Sequence, residues 1–221
     1  MNAIPRCLVK PMLIVGLVVG PAAAAAQQPY RVTQTPAELI AGFELEHQPK
    51  SLPGWRTSML SSMLVHAGSY SPADVETVLD GLERLATTGS TEQMRSAAVF
   101  ALATPSSRDA AAPRRGAIAR LARIYHQSSE SLVRAATVTT AGSLVMDREA
   151  AVEFLSEVAA TDHNDFVAQQ ALGSLLRQGE LGRAALARLH DASQVSPPEA
   201  RVMLEQMAKN DYRLPGEIRK P

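Results

Sequence analysis

A nine-residue helical phrase occurs three times in this chain of 221 residues, and its spacing limits the folds open to it. The copies begin at Met94, Val133 and Val167, so their starts lie 39 and 34 residues apart. In each copy the first and ninth residues are apolar and the fifth is small. Residues four and eight apart lie on one face of an α-helix, so every copy predicts the same buried stripe. A repeat of this length is typical of helical pairs that stack on one another.

The segments between the phrase copies also predict helices. Val75, Val78 and Leu82 follow helical spacing, and turn-forming residues divide the chain every 12 to 20 positions after Trp55. Sustained alternation of apolar and polar residues, which would predict strands, is absent from the sequence. We therefore expect an all-α fold with a C-terminal capping helix that starts at Pro197-Pro198. The expected antiparallel pairs are 55–87, 91–126, 129–160 and 163–190.

Two copies of the phrase carry a family resemblance. Residues 131–136 (Ser-Leu-Val-Arg-Ala-Ala) and 93–98 (Gln-Met-Arg-Ser-Ala-Ala) resemble HEAT repeats, particularly the short HEAT-like type of the phycobilisome lyases. The third copy departs from that pattern, because Ala168 stands where arginine is usual. The resemblance covers about residues 91–190. It implies a short right-handed α-solenoid with a protein-binding surface, and it implies no catalytic residue.

The first 26 residues have the order of a secretory signal peptide. Arg6 and Lys10 precede an apolar run, 12–19, and five alanines end the segment at Ala26. This order of charged, apolar and small residues predicts cleavage after Ala26. The alternative is a retained membrane anchor, but eight apolar residues are far fewer than the roughly 20 that span a bilayer.

The position of the only cysteine and the net charge limit the expected location and the expected partners. The only cysteine, Cys7, lies inside the signal segment, so the mature chain would hold no disulfide and no lipid-modified cysteine at its start. We expect a periplasmic or secreted protein. Cleavage would leave 20 basic and 22 acidic residues, a net charge of −2. This balance argues against nucleic acid and against an anionic membrane as partners.

The mature chain divides into three parts in this interpretation. Residues 27–54 form a flexible leader with a possible short helix at 36–46, and Gln48 to Gly54 ends it with turn-forming residues. Residues 55–210 form the HEAT-like repeat domain. Residues 211–221 form a C-terminal tail.

No cluster in the sequence predicts catalysis, a cofactor or a metal ion. Ser61, Ser62 and Ser174 lie within helical patterns without a strained nucleophile turn, and the five histidines are isolated. Residues 162–165 (Asp-His-Asn-Asp) bring metal-type donors together. The same residues suit a helix N-terminus, where Asp and Asn accept hydrogen bonds from free N–H groups. We favour this helix-end interpretation and expect a protein that is not an enzyme.

Charge is unevenly distributed, and two explanations remain open. Residues 108–134 have a balance of +4, and residues 147–165 have a balance of −5. Adjacent helices of a stack would neutralise each other, because arginine pairs well with carboxylates. Alternatively, an arginine ridge binds an acidic segment of a protein partner. The candidate contact residues are Arg95, Arg114, Arg115, Arg120, Arg123 and Arg134.

These observations together predict an exported, non-catalytic scaffold or adaptor of the cell envelope that binds another protein. An enzyme accessory resembling the HEAT-like lyases is one alternative, and it would need a cleft with converging polar groups. A structural module of the cell envelope is the other alternative.

Overall fold

The computed structural model describes residues 35–46, 71–102, 116–144 and 147–213, and every regular element in these ranges is an α-helix. This finding confirms the all-α class. The expected signal peptide, residues 55–70 of the first expected pair and the residues from 214 onward lie outside the described residues. The helices are α1 (Pro36–Glu46), α2 (Pro72–Thr88), α3 (Glu92–Leu102), α4 (Ala117–Gln127), α5 (Ser131–Ser143), α6 (Arg148–Thr161), α7 (Asp165–Leu176), α8 (Glu180–Asp191) and α9 (Pro198–Lys209).

Local sequence explains where α2 and α3 begin. The Ser71 hydroxyl accepts a hydrogen bond from the Asp74 backbone N–H at 3.1 Å, and the Asp74 carboxylate accepts from the Ser71 N–H at 3.2 Å. Pro72 occupies the first turn, where its missing N–H costs no hydrogen bond. Thr91 starts α3 similarly, since its hydroxyl accepts from the Met94 N–H at 3.1 Å. Such caps satisfy N–H groups that have no partner within the helix.

The phrase residues form the core of α3, α5 and α7. The first, fifth and ninth residues of all three copies are buried: Met94, Ala98, Leu102, Val133, Thr137, Ala141, Val167, Ala171 and Leu175. Thr137 is the polar member, and its hydroxyl donates to the Val133 carbonyl oxygen at 2.8 Å. That bond satisfies the buried hydroxyl within its own helix. The shared positions of the phrase therefore serve packing.

Contacts between the helices follow a regular order. Helices α3, α5, α7 and α9 contact one another in that sequence, and we call them the phrase row. Helices α2, α4, α6 and α8 contact one another in the same way, and we call them the partner row. Contacts of α2 with α3, α4 with α5, α6 with α7 and α8 with α9 join the two rows.

The closest pairs differ from those expected from the sequence. Each of α3, α5 and α7 packs most extensively on the partner-row helix that precedes it, whereas the sequence grouped α3 with α4 and α5 with α6. Connections of only three residues, 89–91, 128–130 and 162–164, join the closely packed pairs, and a connection of the same length, 177–179, joins α7 to α8. Such short connections hold consecutive helices against each other.

Small residues allow α5 and α7 to approach closely. A Cβ atom built on Gly142 would lie 2.5 Å from the Ser174 Cβ, so no side chain fits at this position without a shift. The buried Gln178 side chain donates to the Gly142 carbonyl oxygen at 2.8 Å. This bond satisfies a carbonyl near the C-terminal end of α5, where the helix itself supplies no donor.

Helix α1 belongs to the packed core. Leu39, Ile40 and Phe43 are buried, and α1 contacts α2. The Ile40 side chain lies over Gly81, where a Cβ atom would come within 2.7 Å of it. The segment interpreted as a flexible leader thus contributes a packed helix. All described residues belong to one compact unit, Thr33–Pro221.

Candidate protein-binding surface

The arginine of the first phrase copy, Arg95, connects α3 to the start of α5. Its Nε donates to Glu130 Oε2 at 2.8 Å, and Nη2 pairs with the other oxygen of the same carboxylate. Its Nη1 donates to the Gly89 carbonyl oxygen. Glu130 directly precedes α5, where the helix dipole favours a negative charge. A two-point pair of this kind fixes the orientation of the arginine as well as its position.

The arginine of the second copy, Arg134, makes the corresponding connection from α5 to the residues before α7. Its Nη2 lies 3.3 Å from Oδ1 of the buried Asp162. Asp162 also accepts hydrogen bonds from the Tyr125 hydroxyl at 2.7 Å and from the Asn164 backbone N–H at 2.9 Å. Burial, followed by the bond to Asp162, raises the pKa of Tyr125 above its ordinary value. This cluster joins α4, α5 and the turn between α6 and α7.

The third copy replaces the arginine connection with a carboxylate cap. Ala168 stands at the arginine position and is fully buried. Asp165, at the start of α7, accepts hydrogen bonds from the backbone N–H groups of Glu199 at 2.9 Å and Ala200 at 3.0 Å. Those two groups begin α9, whose own N-cap residue, Pro197, makes no side-chain cap. The departure of the third copy from the HEAT-like pattern thus coincides with a different way of holding the next helix.

Two further arginines bind an acidic face of α2. Arg120 on α4 donates to Glu76, Asp80 and Glu83, each at 2.6 Å. Arg123 donates to Glu83 at 2.7 and 3.0 Å. The three carboxylates share one face of α2, because their spacing is four and three residues. Burial of the Glu83 carboxyl opposes its ionisation, but the hydrogen bonds from Arg123 and Arg120 outweigh burial, and the pKa of Glu83 lies below its ordinary value.

Four of the six candidate contact residues thus hold carboxylates of neighbouring elements, namely Arg95, Arg120, Arg123 and Arg134. Arg114 and Arg115 lie outside the described residues. The pattern is that of mutual neutralisation between adjacent helices. Its partners differ from those expected. Among the described residues, the arginines of α4 pair with carboxylates of α2. From residues 147–165, only Asp162 pairs with an arginine and only Glu157 lies near a histidine in that part of the chain. The sequence leaves this choice open, since α4 has a neighbour on each side in the partner row.

The Asp-His-Asn-Asp cluster at 162–165 supplies helix-end groups. Asn164 is the N-cap of α7, and its Oδ1 accepts from the Val167 N–H at 3.2 Å. Asp162 of the same cluster accepts from the Asn164 backbone N–H and the Tyr125 hydroxyl. Among the residues that the structure describes, no group of three or more His, Cys, Asp and Glu side chains is placed to hold a metal ion.

Of the three serines considered as nucleophiles, the structure describes Ser174, which contributes to helix packing. Ser174 is buried where α5 crosses α7, and its hydroxyl oxygen accepts from Arg177 Nη2 at 2.9 Å. Its surroundings are those of a packing residue. Ser61 and Ser62 lie outside the described residues.

The phrase row carries large apolar side chains at the surface, which the sequence interpretation did not single out. Phe100 on α3, Leu132 on α5, Phe166 on α7 and Val202 on α9 are each 45–55% exposed. Leu132 and Phe166 occupy the same repeat position, directly before the first buried residue of their phrase copies. Exposed apolar residues that recur on adjacent helices, rather than singly, are typical of interaction surfaces. The sequence signal was an apolar residue placed next to the buried stripe.

The partner row has a groove between α6 and α8. It has a volume of about 800 Å³ and is open to solvent. Its buried apolar floor includes Val152, Ala185 and Leu189. Glu149 and Glu153 line it from α6. The side chains from α8 and its C-terminal turn also include Leu181, Ala184, Arg188 and Gln194.

Comparison with models of protein families, with curated proteins and with solved structures found no match to this chain. None of the helices in the described ranges combines the length and the apolar character needed to cross a membrane.

Proposed function

We propose that this chain is an exported, non-catalytic scaffold that binds another protein through the phrase row. The observation that carries the proposal is the exposure of one large apolar side chain on each of its helices α3, α5, α7 and α9. Burial of such side chains drives most protein–protein association. The cell envelope is the proposed location, with the signal segment removed after Ala26.

The fold proposed for this scaffold is a short right-handed α-solenoid of HEAT-like pairs. Two features support it: the two rows of helices and the phrase at corresponding places in the phrase row. The four pairs in this proposal are α2–α3, α4–α5, α6–α7 and α8–α9. Stacked pairs of this kind present an extended surface along one row, which suits binding of a protein segment.

The apolar side chains, rather than the arginines, are the proposed main contacts. Arg95 and Arg134 already hold Glu130 and Asp162, and turning either arginine toward a partner would leave a carboxylate without its counter-charge. For Asp162, whose side chain is only 1% exposed, losing its arginine would be costly. A partner can contact the exposed side chains of Phe100, Leu132 and Phe166 without breaking an ion pair.

Affinity capture from the native envelope fraction tests the proposal. The purified chain is compared with the double variant Leu132→Ser/Phe166→Ser and with Leu45→Ser, a matched control on α1 whose side chain is also about half exposed. We expect one defined protein to co-purify with the wild type and the control, and its recovery to fall about tenfold or more with the double variant, as for central interface residues. Circular dichroism checks that the fold is kept. An empty capture at low salt, or full recovery with the double variant, contradicts the proposal.

A further inference from the structure

The groove between α6 and α8 has the geometry of a seat for a third helix. Its α6 positions are 149, 152, 153 and 156, and its α8 positions are 181, 184, 185, 188 and 189. Both sets follow the spacing of three, four and seven residues by which a helix presents one face to another helix. Leu181, at the edge of the groove, is 44% exposed. Two neighbouring helices thus offer a joint apolar surface with an uncovered leucine.

The free charge at this groove is predominantly acidic. Glu149 and Glu153 are exposed, and within the part of the chain that the structure describes neither has a basic group within 4 Å. Glu157 follows on the same face of α6 and lies 3.8 Å from the His126 ring. On the α8 side, Arg188 is the one arginine among the described residues that line the groove. The arginines of α3, α4 and α5 are already paired with carboxylates of this chain. The carboxylates of Glu149 and Glu153 have no such pairing among the described residues, so a partner can bind them.

We propose that the α6–α8 groove binds an amphipathic helix of a protein partner, with lysine or arginine residues along the edge that faces α6. Its apolar side chains pack against Leu181 and Ala184 above the floor that includes Val152, and its cationic side chains pair with Glu149 and Glu153. Helix-in-groove recognition of this type uses apolar anchors at helical spacing. The inference rests on the proposed scaffold function and specifies its partner: the segment that enters this groove is basic, whereas the partner considered from the sequence alone carried an acidic segment.

Two designed peptides test the groove directly. Both have about 14 residues, roughly four helical turns, with leucines at i, i+3, i+4 and i+7. One carries lysines beside the leucine stripe, and the other carries glutamates at the same positions. Binding to the purified chain is measured by fluorescence anisotropy of the labelled peptides. We expect the lysine peptide to bind and the glutamate peptide to bind at least about tenfold more weakly, because like charges meet at the groove edge.

Variants of the chain locate the site. Glu149→Gln/Glu153→Gln is expected to weaken the lysine peptide by about twofold to thirtyfold, the range given by two exposed ion pairs. Leu181→Ser is expected to weaken both peptides. Glu205→Gln, which removes an exposed carboxylate of α9 outside the groove, is the matched control and is expected to change nothing.

Three results would overturn the inference: no binding of the lysine peptide, equal binding of both peptides, or insensitivity to the Glu149/Glu153 change. These results do not depend on the capture experiment. A partner that is captured through the phrase row and is unaffected by the groove variants leaves the scaffold proposal standing and removes only the groove.

Discussion

Replacing the buried carboxylate of Asp162 with alanine is expected to destabilise the fold more than any other single change to the charged groups described. The Asp162 side chain is 1% exposed and serves three donors from three parts of the chain. They are the Tyr125 hydroxyl at 2.7 Å, the Asn164 N–H at 2.9 Å and Arg134 Nη2 at 3.3 Å. Asp162→Ala removes the acceptor of all three.

The magnitude follows from burial. A buried hydroxyl left without an acceptor costs about 1–3 kcal/mol, and removing one member of a buried ion pair costs about 3–5 kcal/mol. Arg134 is one quarter exposed and can turn partly toward water, so we expect a total of about 3–5 kcal/mol rather than the sum. For a chain of this size that lowers Tm by roughly 6–20 °C. Glu130, which holds the equivalent arginine Arg95, is 36% exposed, and Glu130→Ala is expected to cost only about 1 kcal/mol.

Thermal and urea unfolding followed by circular dichroism measure both variants. Unchanged m-values would show that the unfolded state is the same in each variant. If Asp162→Ala costs no more than Glu130→Ala, the reasoning from burial is refuted.

Three further predictions concern acid stability, helix packing and processing. The folded-state pKa of the Glu83 carboxyl lies below its ordinary value, so its contribution to stability is present above about pH 4.5 and is lost as the pH falls below that. Glu83→Gln should therefore reduce the pH dependence of the unfolding midpoint between about pH 5 and 3, and an unchanged pH dependence would contradict this prediction. Gly142→Ala, whose new Cβ atom would collide with Ser174, should lower the free energy of unfolding in urea by about 1–3 kcal/mol. Gly173→Ala, whose new Cβ atom would have its nearest neighbour 4.0 Å away, should be neutral or stabilising by up to about 1 kcal/mol, and equal effects of the two variants would refute the packing argument. N-terminal sequencing of the exported protein should begin at Gln27, and a chain that keeps residues 1–26 would support the anchor alternative.

The helices themselves were predictable because their signals are local. The spacing of Val75, Val78 and Leu82 predicted α2, and the phrase copies predicted α3, α5 and α7, all with the stated faces buried. Helix periodicity depends only on residues within a few turns of each other, so it is readable without knowledge of the fold.

The pairing of charges was not predictable in the same way. The sequence showed a basic segment and an acidic segment, yet Arg120 and Arg123 bind Glu83 and its neighbours on α2 instead. The exposed Leu132 and Phe166 were likewise indistinguishable from core residues, because a helix pattern marks apolar positions and does not say which of them another helix covers.

The sequence by itself determined the all-α class, the helices of the three phrase copies and the buried stripe of each copy, because these depend on neighbours along the chain. Only the tertiary structure decided which partner-row helix packs on each phrase helix and which carboxylate each arginine meets. It also decided which surfaces stay uncovered: the phrase-row apolar side chains and the groove between α6 and α8. The arginine–carboxylate contacts join residues 28 to 44 positions apart, and their geometry is set by how the helices stack.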